Sequence, residues 1–297
     1  MKTTMGRKFF LLCASLFLVA ISLICVLPFL NLLAISFSNK DAVATGRVNF
    51  LPVGFTTSSY TFITRSPAFL KALWVSIQRV VLGVGINLTL IVLTAYPLSR
   101  GRSEFKMRSF YSWFFVITIL FNGGLIPSYL IVRYTGIRDT LWALVLPGAL
   151  PVFSMLVVMN YMRTLPQELF EAAYIDGAGH IQTLLKVIIP VCTPTIATVA
   201  LFAFVGHWNN WFDGLIYMAS VDHYPLQTYL QTVVIKPDVF FTTTKNMSQD
   251  LAVLLALVDS RTTSAAQLFL GTVPILCVYP FLQKYFTSGL VMGSVKG

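Results

Sequence analysis

The sequence predicts an all-α integral membrane protein with six transmembrane helices. Of its 297 residues, 56% are hydrophobic and only 11% are charged, whereas roughly 25% of residues are charged in soluble domains. Its mean hydropathy is +0.77. Six apolar stretches are each close to the roughly 20 residues that a bilayer-spanning helix needs. None of them alternates with the period of two that a membrane barrel requires, so each is predicted to pair its backbone groups internally as a helix.

The predicted spans cover most of the chain and are residues 9–33, 75–98, 110–131, 141–161, 195–218 and 265–286. The first is too long and too uniformly apolar for a cleavable secretory signal, so we expect it to remain as an anchor. Residues 1–74 are predicted to hold this helix and an extracellular loop. Residues 75–297 are predicted to form a five-helix core.

Basic residues predict the orientation of the spans. They precede the first span and follow the second, at Lys2, Arg7, Lys8, Arg100, Arg102, Lys106 and Arg108. Because such residues favour the cytoplasmic side, both segments are expected there, and with six spans both termini and the segment 162–194 are cytoplasmic as well. The net charge of +10 is then explained by topology and anionic lipid rather than by nucleic acid.

No motif for catalysis or nucleotide binding is present. The sequence contains no GxxxxGK[ST] loop, no GxGxxG turn and no HExxH pattern. Four cysteines, which we interpret as small hydrophobic residues, lie in apolar context or at a span's edge: Cys13, Cys25, Cys192 and Cys277. We therefore predict no catalytic residue, no metal site and no cofactor on this chain, so any energy source must lie outside it.

A polar loop at about residues 165–190 separates the fourth and fifth spans. After Pro166, the positions of Phe170, Ala173 and Tyr174 share one helical face. Gly177 and Gly179 then interrupt, each costing up to about 1 kcal/mol in a helix interior, which predicts a bend between two short helices. The spacing leaves two interpretations open, a docking element for another protein and an amphipathic connector on the membrane surface.

Residues 171–179, EAAYIDGAG, followed by VIIP at 187–190, resemble the cytoplasmic motif of binding-protein-dependent ABC transporter permeases of the carbohydrate-uptake branch. Val187 and Ile189 depart mildly from the usual isoleucine and leucine. Further stretches are similar to the oligosaccharide-type permeases of Gram-positive bacteria, namely residues 122–127, 141–144, 146–148, 279–286 and 293–297. The resemblance covers roughly residues 75–297.

This resemblance implies a type I ABC importer permease fold in a bacterial plasma membrane. It also implies that the loop inserts as coupling helices into a groove of a separate ATPase subunit, which uses the ATP. The implied partners are a second homologous permease, two ATP-binding subunits and an extracellular solute-binding lipoprotein. The implied ATPase-docking residues are Glu171, Ala172, Ala173, Asp176, Gly177, Ala178, Gly179 and Pro190.

Polar residues inside the spans are candidates for a substrate path, because buried polar groups are costly in lipid unless they face protein or water. Tryptophan beside asparagine and aspartate at 207–213 suits a carbohydrate, and an interfacial aromatic belt is the alternative. The candidates are Asn209, Asn210, Trp211, Asp213, Asn122 and Asn87, with Gln78 and Arg79 as additions. Arg79 is expected either to snorkel outward or to pair with Asp213.

The segments 38–70 and 221–264 are predicted to lie outside the membrane and, by resemblance, to receive the binding protein; solvated loops are the alternative. A short helix is predicted at 225–231 and a polar stretch at 242–249. The predicted function is a permease subunit that forms half of the path for a sugar or oligosaccharide. The alternatives are an importer permease for a non-sugar solute and a secondary transporter, which would need coupling carboxylates where the spans offer little besides Asp213.

Overall fold

A computed structural model describes residues 5–235 and 259–294 of the chain, and these ranges contain helices and connecting segments but no strand. The helices are α1 (Met5–Ser36), α2 (Lys40–Ala44), α3 (Ser58–Arg65), α4 (Pro67–Ser99), α5 (Arg108–Leu120), α6 (Leu125–Tyr134), α7 (Leu141–Val145), α8 (Val152–Arg163), α9 (Glu168–Ile175), α10 (His180–Thr183), α11 (Ile189–Val191), α12 (Thr193–Asn209), α13 (Phe212–Tyr217), α14 (Leu226–Ile235) and α15 (Ser260–Ser294). Short 3-10 turns lie at Leu146–Gly148 and Val221–His223, and a π-helical turn lies at Leu184–Ile188. The all-α prediction is confirmed for the part of the chain that the structure describes.

The predicted spans are more broken than the sequence indicated. Of the described helices, α1 and α4 are single helices long and apolar enough to cross a membrane, and the number rises to five if each bent pair counts as one span. The pairs bend by 115° between α5 and α6, by 48° between Leu141–Gly148 and α8, and by 82° between His180–Val191 and α12. The prediction of a single helix is therefore wrong for 110–131 and 141–161, which contain the first two bends. It is also wrong for 195–218, because α12 ends at Asn209 and α13 begins at Phe212. Hydropathy averaged over the length of a span stays apolar across a short break and does not report the direction of the chain.

The predicted sixth span, 265–286, falls within α15, but the side chains of Tyr279 and residues 281–294 lie outside what is described. The count of six spans stays a prediction. The predicted polar stretch at 242–249 and the last three residues of the resembling tail also lie outside the described residues. The short helix predicted at 225–231 is confirmed as the start of α14.

The described residues divide into two compact units, one with residues 5–70, 230–235 and 259–273 and one with residues 71–229 and 274–294. The predicted division after residue 74 stays a prediction. In the first unit, the side chains of residues 5–30 are exposed apart from the half-buried Ala14. The far end of α1 is fixed by local contacts, since the ring of Phe37 stacks on that of Tyr60 at 4.7 Å and Asn39 caps α2 by accepting the N–H of Ala42 at 2.8 Å.

In the second unit, α4 buries one continuous face. Its buried positions include Ser76, Arg79, Gly83 and Asn87, which are three or four residues apart and therefore lie on the same side of the helix. The face continues toward the end of α4 with apolar residues, among them Ile91, Ala95 and Leu98. One half of the face is thus polar and the other half is apolar.

The apolar half of this face belongs to the larger core of the second unit. It packs with side chains from α8, with Phe170 of α9 and with the π-helical turn. The guanidinium of Arg100 lies 3.7 Å from the centre of the Phe170 ring, where the ring's negative face attracts a cation. The loop at 165–190 is therefore held by packing against α4 and α8. The buried core residues are Ile91, Val92, Ala95, Tyr96, Leu98, Met155, Val158, Met159, Met162, Phe170, Leu184, Ile188, Cys192 and Val199.

Asp139 fixes the connection that follows α13. Its N–H donates to the carbonyl of Tyr217 at 3.0 Å, and its Oδ1 accepts the N–H of Ala219 at 2.9 Å and the Nδ1–H of His223 at 3.0 Å. Asp139 has φ +62, a left-handed conformation that aspartate tolerates better than most residues. The hydrogen bond from His223, supported by that from Ala219, lowers the pKa of the Asp139 carboxyl below its ordinary value.

We predict that Asp139 makes the protein less stable in acid. A carboxyl whose pKa is lowered in the folded state stabilises that state above its unfolded pKa of about 3.9, and the contribution is lost as the pH falls through the folded pKa. The melting temperature of the detergent-purified protein, followed from pH 6 to pH 3, should therefore fall more steeply for the wild type than for Asp139→Asn. Asparagine also tolerates positive φ, so parallel curves for the two proteins would contradict the prediction.

Candidate functional site

The main polar site surrounds a break between α12 and α13. Helix α12 ends at Asn209, Asn210 is extended with φ −74 and ψ 106, and α13 begins at Phe212. The freed carbonyl of Asn210 accepts a hydrogen bond from Nη1 of Arg79 at 2.9 Å. The carbonyl of Trp211 accepts one from Oγ1 of Thr228 at 2.7 Å and a longer one from the N–H of Leu215 in α13 at 3.4 Å. Because lipid offers no donor to a freed carbonyl, the side chain of Arg79 allows the chain to leave the helix here.

Arg79 also forms an ion pair at this break, which confirms one of the two alternatives expected for it. Its Nη2 lies 2.6 Å from Oδ2 of Asp213, and the exposed fractions of the two side chains are 2% and 30%. The Nδ2 of Asn210 donates to the same oxygen at 2.8 Å, and the N–H of Asp213 returns a bond to Oδ1 of Asn210 at 3.1 Å. Both donors converge on Oδ2, so Oδ1 of Asp213 has no hydrogen-bond partner within the described residues.

Asp213 lies at the edge of a cavity of about 220 Å³. Asn122 borders the same cavity, where its Oδ1 accepts the N–H of Gly124 at 2.8 Å and closes the turn between α5 and α6. Two of the predicted path residues are thereby brought to one place. The residues that line the cavity are Asn122, Gly124, Leu125, Ser128, Phe212, Asp213, Ile216 and Tyr217.

Asn87 occupies a second polar position and does not line that cavity. It is 2% exposed, and its Nδ2 donates to the carbonyls of Gly148 at 3.0 Å and Ala149 at 2.8 Å, where the chain bends before α8. Its Oδ1 accepts the Nε2–H of His207 at 2.9 Å. Asn87 thus supports a second helix break, and His207, which was not among the predicted site residues, supports Asn87.

The remaining predicted path residues are less enclosed. Asn209 is exposed and is not among the residues that line the cavity. The side chain of Trp211 is 39% exposed, and its ring meets that of Phe212 edge to face at 5.6 Å. Trp211 therefore offers an open aromatic face beside the cavity, whereas Gln78 is half-buried on α4.

The predicted bend in the loop at 165–190 is confirmed. Two hydrogen bonds end helix α9. The N–H of Gly177 donates to the carbonyl of Tyr174 at 3.0 Å, and the N–H of Ala178 donates to the carbonyl of Ala173 at 2.9 Å. This pair of bonds is the Schellman motif, which needs a left-handed residue after the helix, and Gly177 has φ +77. No atom lies within 4 Å of a Cβ built at Gly177, so its conformation rather than crowding explains the glycine.

Most of the predicted docking residues lie on the surface of this loop. Ala178 is half-buried and Ala173 is 7% exposed, so Ala173 faces the interior. Sequence reasoning missed the large apolar side chains beside them, since Ile175 is 86% exposed and Ile181 is 73% exposed. For Ile175 a signal was available, because it lies off the face of α9 that Phe170 and Ala173 share. The exposed predicted residues are Glu171, Ala172, Asp176, Gly177, Gly179 and Pro190.

The chain has relatives that match it along almost its full length, although no protein-family model matches it. Protein LplC of Bacillus subtilis (strain 168) is 37% identical over 297 residues, which cover 100% of this chain and 98% of LplC. The polygalacturonan/rhamnogalacturonan transport system permease protein YtcP of the same organism is 34% identical over 283 residues, covering 95% and 96%. A solved chain of a bacterial ABC transporter involved in the import of the acidic polysaccharide alginate is similar with a TM-score of 0.85 and 28% identity, covering 96% of this chain and 99% of that chain.

We predict that Gly83→Ala destabilises the contact between α4 and α12. A Cβ at Gly83 would overlap the imidazole of His207, with Cε1 at 2.6 Å and Cδ2 at 2.7 Å. Overpacking of this kind typically costs about 1 to 3 kcal/mol, so the melting temperature of the purified protein should fall by several degrees. The matched control is Gly85→Ala on the same helix, where nothing lies within 4 Å of the added carbon. Equal melting temperatures for the two variants would contradict the prediction.

Proposed function

We propose that this chain, which belongs to the family of ABC transporter permeases, forms one half of the path for a sugar or oligosaccharide through an ATP-driven importer. As a permease it is a transport subunit and not an enzyme, and ATP hydrolysis belongs to separate ATPase subunits. The observation that carries the proposal is the exposed, glycine-capped loop of α9 and α10, packed against α4 and α8.

The surface of this loop is suited to docking in a groove of the ATPase. Ile175 and Ile181 flank the bend and are largely exposed, and Leu185 is 58% exposed. Exposed apolar side chains at a bend, bordered by Glu171 and Asp176, give an apolar centre with a polar rim, as protein interfaces usually have. The small residues Ala172 and Gly179 leave room for the partner's backbone.

The packing provides a route from the loop to the cavity. A displacement of α9 acts on Phe170, which packs in the core that includes Leu98 of α4. Arg79 lies 19 residues earlier on the same helix, about 28 Å away at 1.5 Å per residue. Because α4 is continuous between them, a push at the loop is transmitted to the break at Asn210 without an intervening hinge other than Pro97.

The cavity beside Asp213 supports a sugar as the cargo. Asn122 and Ser128 supply polar groups, while Phe212 and the neighbouring Trp211 supply aromatic faces. Aromatic rings that cover the apolar face of a pyranose, with amide and carboxylate groups for its hydroxyls, form a suitable carbohydrate subsite. The cargo in the printed name of YtcP is also a carbohydrate.

The remaining assembly is part of the proposal. The chain crosses the plasma membrane six times with both termini in the cytoplasm, and it pairs with a homologous permease and two ATP-binding subunits. The outer segments 38–70 and 221–264 receive a solute-binding lipoprotein. The basic segment from Arg100 to Arg108 supports this orientation through the positive-inside rule.

We predict that Gly177→Asp abolishes uptake and co-purification with the ATPase while the chain still inserts into the membrane. Its carboxylate adds a charge at the bend, between the largely exposed side chains of Ile175 and Ile181 in the proposed interface. Immunoblotting of membranes, affinity purification and uptake of labelled oligosaccharide measure the three effects.

Gly136→Asp is the matched control for Gly177→Asp. Gly136 has φ +73, it also has nothing within 4 Å of an added Cβ, and it lies on the opposite side in the proposed topology. The control should retain ATPase binding. Loss of ATPase binding in both variants, or in neither, would contradict the assignment of the loop.

We predict that Trp211→Ala lowers uptake of oligosaccharide at sub-saturating concentration by about 2- to 13-fold, as loss of an aromatic contact of about 0.5 to 1.5 kcal/mol implies. Assembly should be unchanged, because the break is held by the carbonyl of Trp211 and not by its ring. Trp74→Ala is the control, since Trp74 is a 59% exposed tryptophan on α4. Equal uptake by the two variants would favour the belt interpretation of Trp211.

A further inference from the structure

We propose that Arg79 is a positioning residue that holds the free oxygen of Asp213 toward the cavity, where it accepts a hydrogen bond from a hydroxyl group of the cargo. This inference rests on the proposed function in one respect, because it takes the cavity as part of the cargo path. The orientation of the carboxylate can be tested without any cargo.

The two oxygens of Asp213 are in different situations. Oδ2 accepts from Nη2 of Arg79 at 2.6 Å and from Nδ2 of Asn210 at 2.8 Å, which fixes the rotation of the carboxylate. Oδ1 has no partner within the described residues, and Asp213 lines the cavity with a side chain that is 30% exposed. A carboxylate oxygen with free lone pairs at the edge of a cavity is a strong acceptor for a ligand hydroxyl.

Arg79 itself cannot move without opening the helix break. Its guanidinium contacts the carbonyl of Asn210 through Nη1 and the carboxylate of Asp213 through Nη2. The planar fork of arginine satisfies two acceptors in fixed directions, whereas the single ammonium of lysine provides no such geometry. The same side chain therefore sets both the position of the break and the rotation of Asp213.

The charges around the cavity favour a hydroxyl group of the cargo over a carboxylate group of the cargo beside Oδ1 of Asp213. The eight residues that line it include one acidic side chain, Asp213, and no lysine, arginine or histidine. The positive charge of Arg79 is buried behind that carboxylate, with 2% of the side chain exposed. A cargo hydroxyl can donate to Oδ1, while a cargo carboxylate at the same position is repelled.

The orientation is tested with charged thiol reagents at Ser128→Cys, a substitution in the lining of the cavity. The four native cysteines, three of them exposed, are first replaced by serine or alanine. The measured quantity is the ratio of modification rates by a cationic and an anionic methanethiosulfonate reagent of similar size. A carboxylate about 6 Å away in water favours the cation by about ten-fold for reagents that differ by two charges. Asp213→Asn should remove this preference.

The variant Arg79→Lys distinguishes two roles of Arg79, holding the carboxylate of Asp213 in position and supplying a positive charge. It keeps the positive charge, so if Arg79 acts only as a counter-charge the ratio stays at the wild-type value, which would overturn the proposal. If Arg79 positions Asp213, the ratio moves at least about two-fold toward that of Asp213→Asn, because the carboxylate turns toward the shorter ammonium. Lys71→Gln is the control, since Lys71 lies on the same helix as Arg79. It removes the exposed ion pair between Lys71 and Asp222 at 3.1 Å and should leave the ratio unchanged.

A neutral pair keeps the test decisive if Arg79→Lys is not recovered from membranes. In Arg79→Gln/Asp213→Asn both charges are removed together, so no unpaired charge is buried. If the preference for the cationic reagent comes from the carboxylate that Arg79 holds, the double variant has no such preference, and Asp213→Asn alone, which leaves Arg79 as an unpaired cation, has none either. A preference for the cation that survives in the double variant would overturn the proposal. An introduced thiol that neither reagent modifies would show that the cavity is closed, and would also overturn the proposal.

The cargo is tested separately in the complete transporter that carries Ser128→Cys. The probes are maltotriose, arabinotriose and a galacturonate trimer, with uptake and protection of the introduced thiol measured in parallel. We expect the trimer that is taken up to protect this thiol, and Asp213→Asn to weaken the protection by about ten-fold, as loss of a charge-assisted hydrogen bond implies. Uptake of a trimer that does not protect the introduced thiol would show that the cavity is not part of the cargo path. No uptake of any of the three probes would contradict the proposed function. In either case, the ratio of modification rates still decides whether Arg79 positions Asp213.

Discussion

The structure of the second unit depends on one constraint, that a carbonyl released by a break in a membrane helix has to find its donor in the protein. Helix α4 supplies two of these donors. Arg79 pairs with the carbonyl of Asn210, and Asn87 pairs with those of Gly148 and Ala149. Both side chains lie on the same face of α4, eight residues apart, so that one continuous helix meets the breaks in two other predicted spans. Polar residues that would be costly in lipid are here the condition for bending the spans.

The same helix connects this polar region with the loop that is proposed to receive the ATPase. The face that carries Arg79 and Asn87 continues as the apolar face of Ile91, Ala95 and Leu98, in one core with Phe170. Packed interiors transmit displacement because they have little free volume to absorb it. A rigid helix that ends in the core under the loop and holds the two breaks by hydrogen bonds is therefore suited to convert movement at α9 into movement of Asn210.

The sequence was informative wherever a signal was local. The bend at Gly177 follows from two glycines after a short amphipathic helix, and the helix at Leu226–Ile235 follows from Pro225. The breaks at Phe121, Ala149 and Asn210 were not predicted, because a hydropathy profile averaged over about 19 residues stays apolar across a few polar or glycine positions and records no direction. Arg79 was foreseen as a possible partner of Asp213 from charge alone. The hydrogen bond between Asn87 and His207 was not foreseen, because the two residues are 120 positions apart and neither side chain requires the other as its partner.

The ion pair between Arg79 and Asp213 has a consequence for biosynthesis. The two residues are 134 positions apart, so at about 5 to 20 residues per second the ribosome needs roughly 7 to 27 s to deliver the carboxylate after the guanidinium. During that interval α4 carries an unpaired cation, which costs about 2.5 to 3.5 kcal/mol at the centre of a span and less at Arg79, the fifth residue of the predicted span 75–98. The otherwise apolar sequence of α4 offsets that cost. The newly made helix can therefore enter the membrane before α13 exists, and the ion pair with Asp213 forms only afterwards.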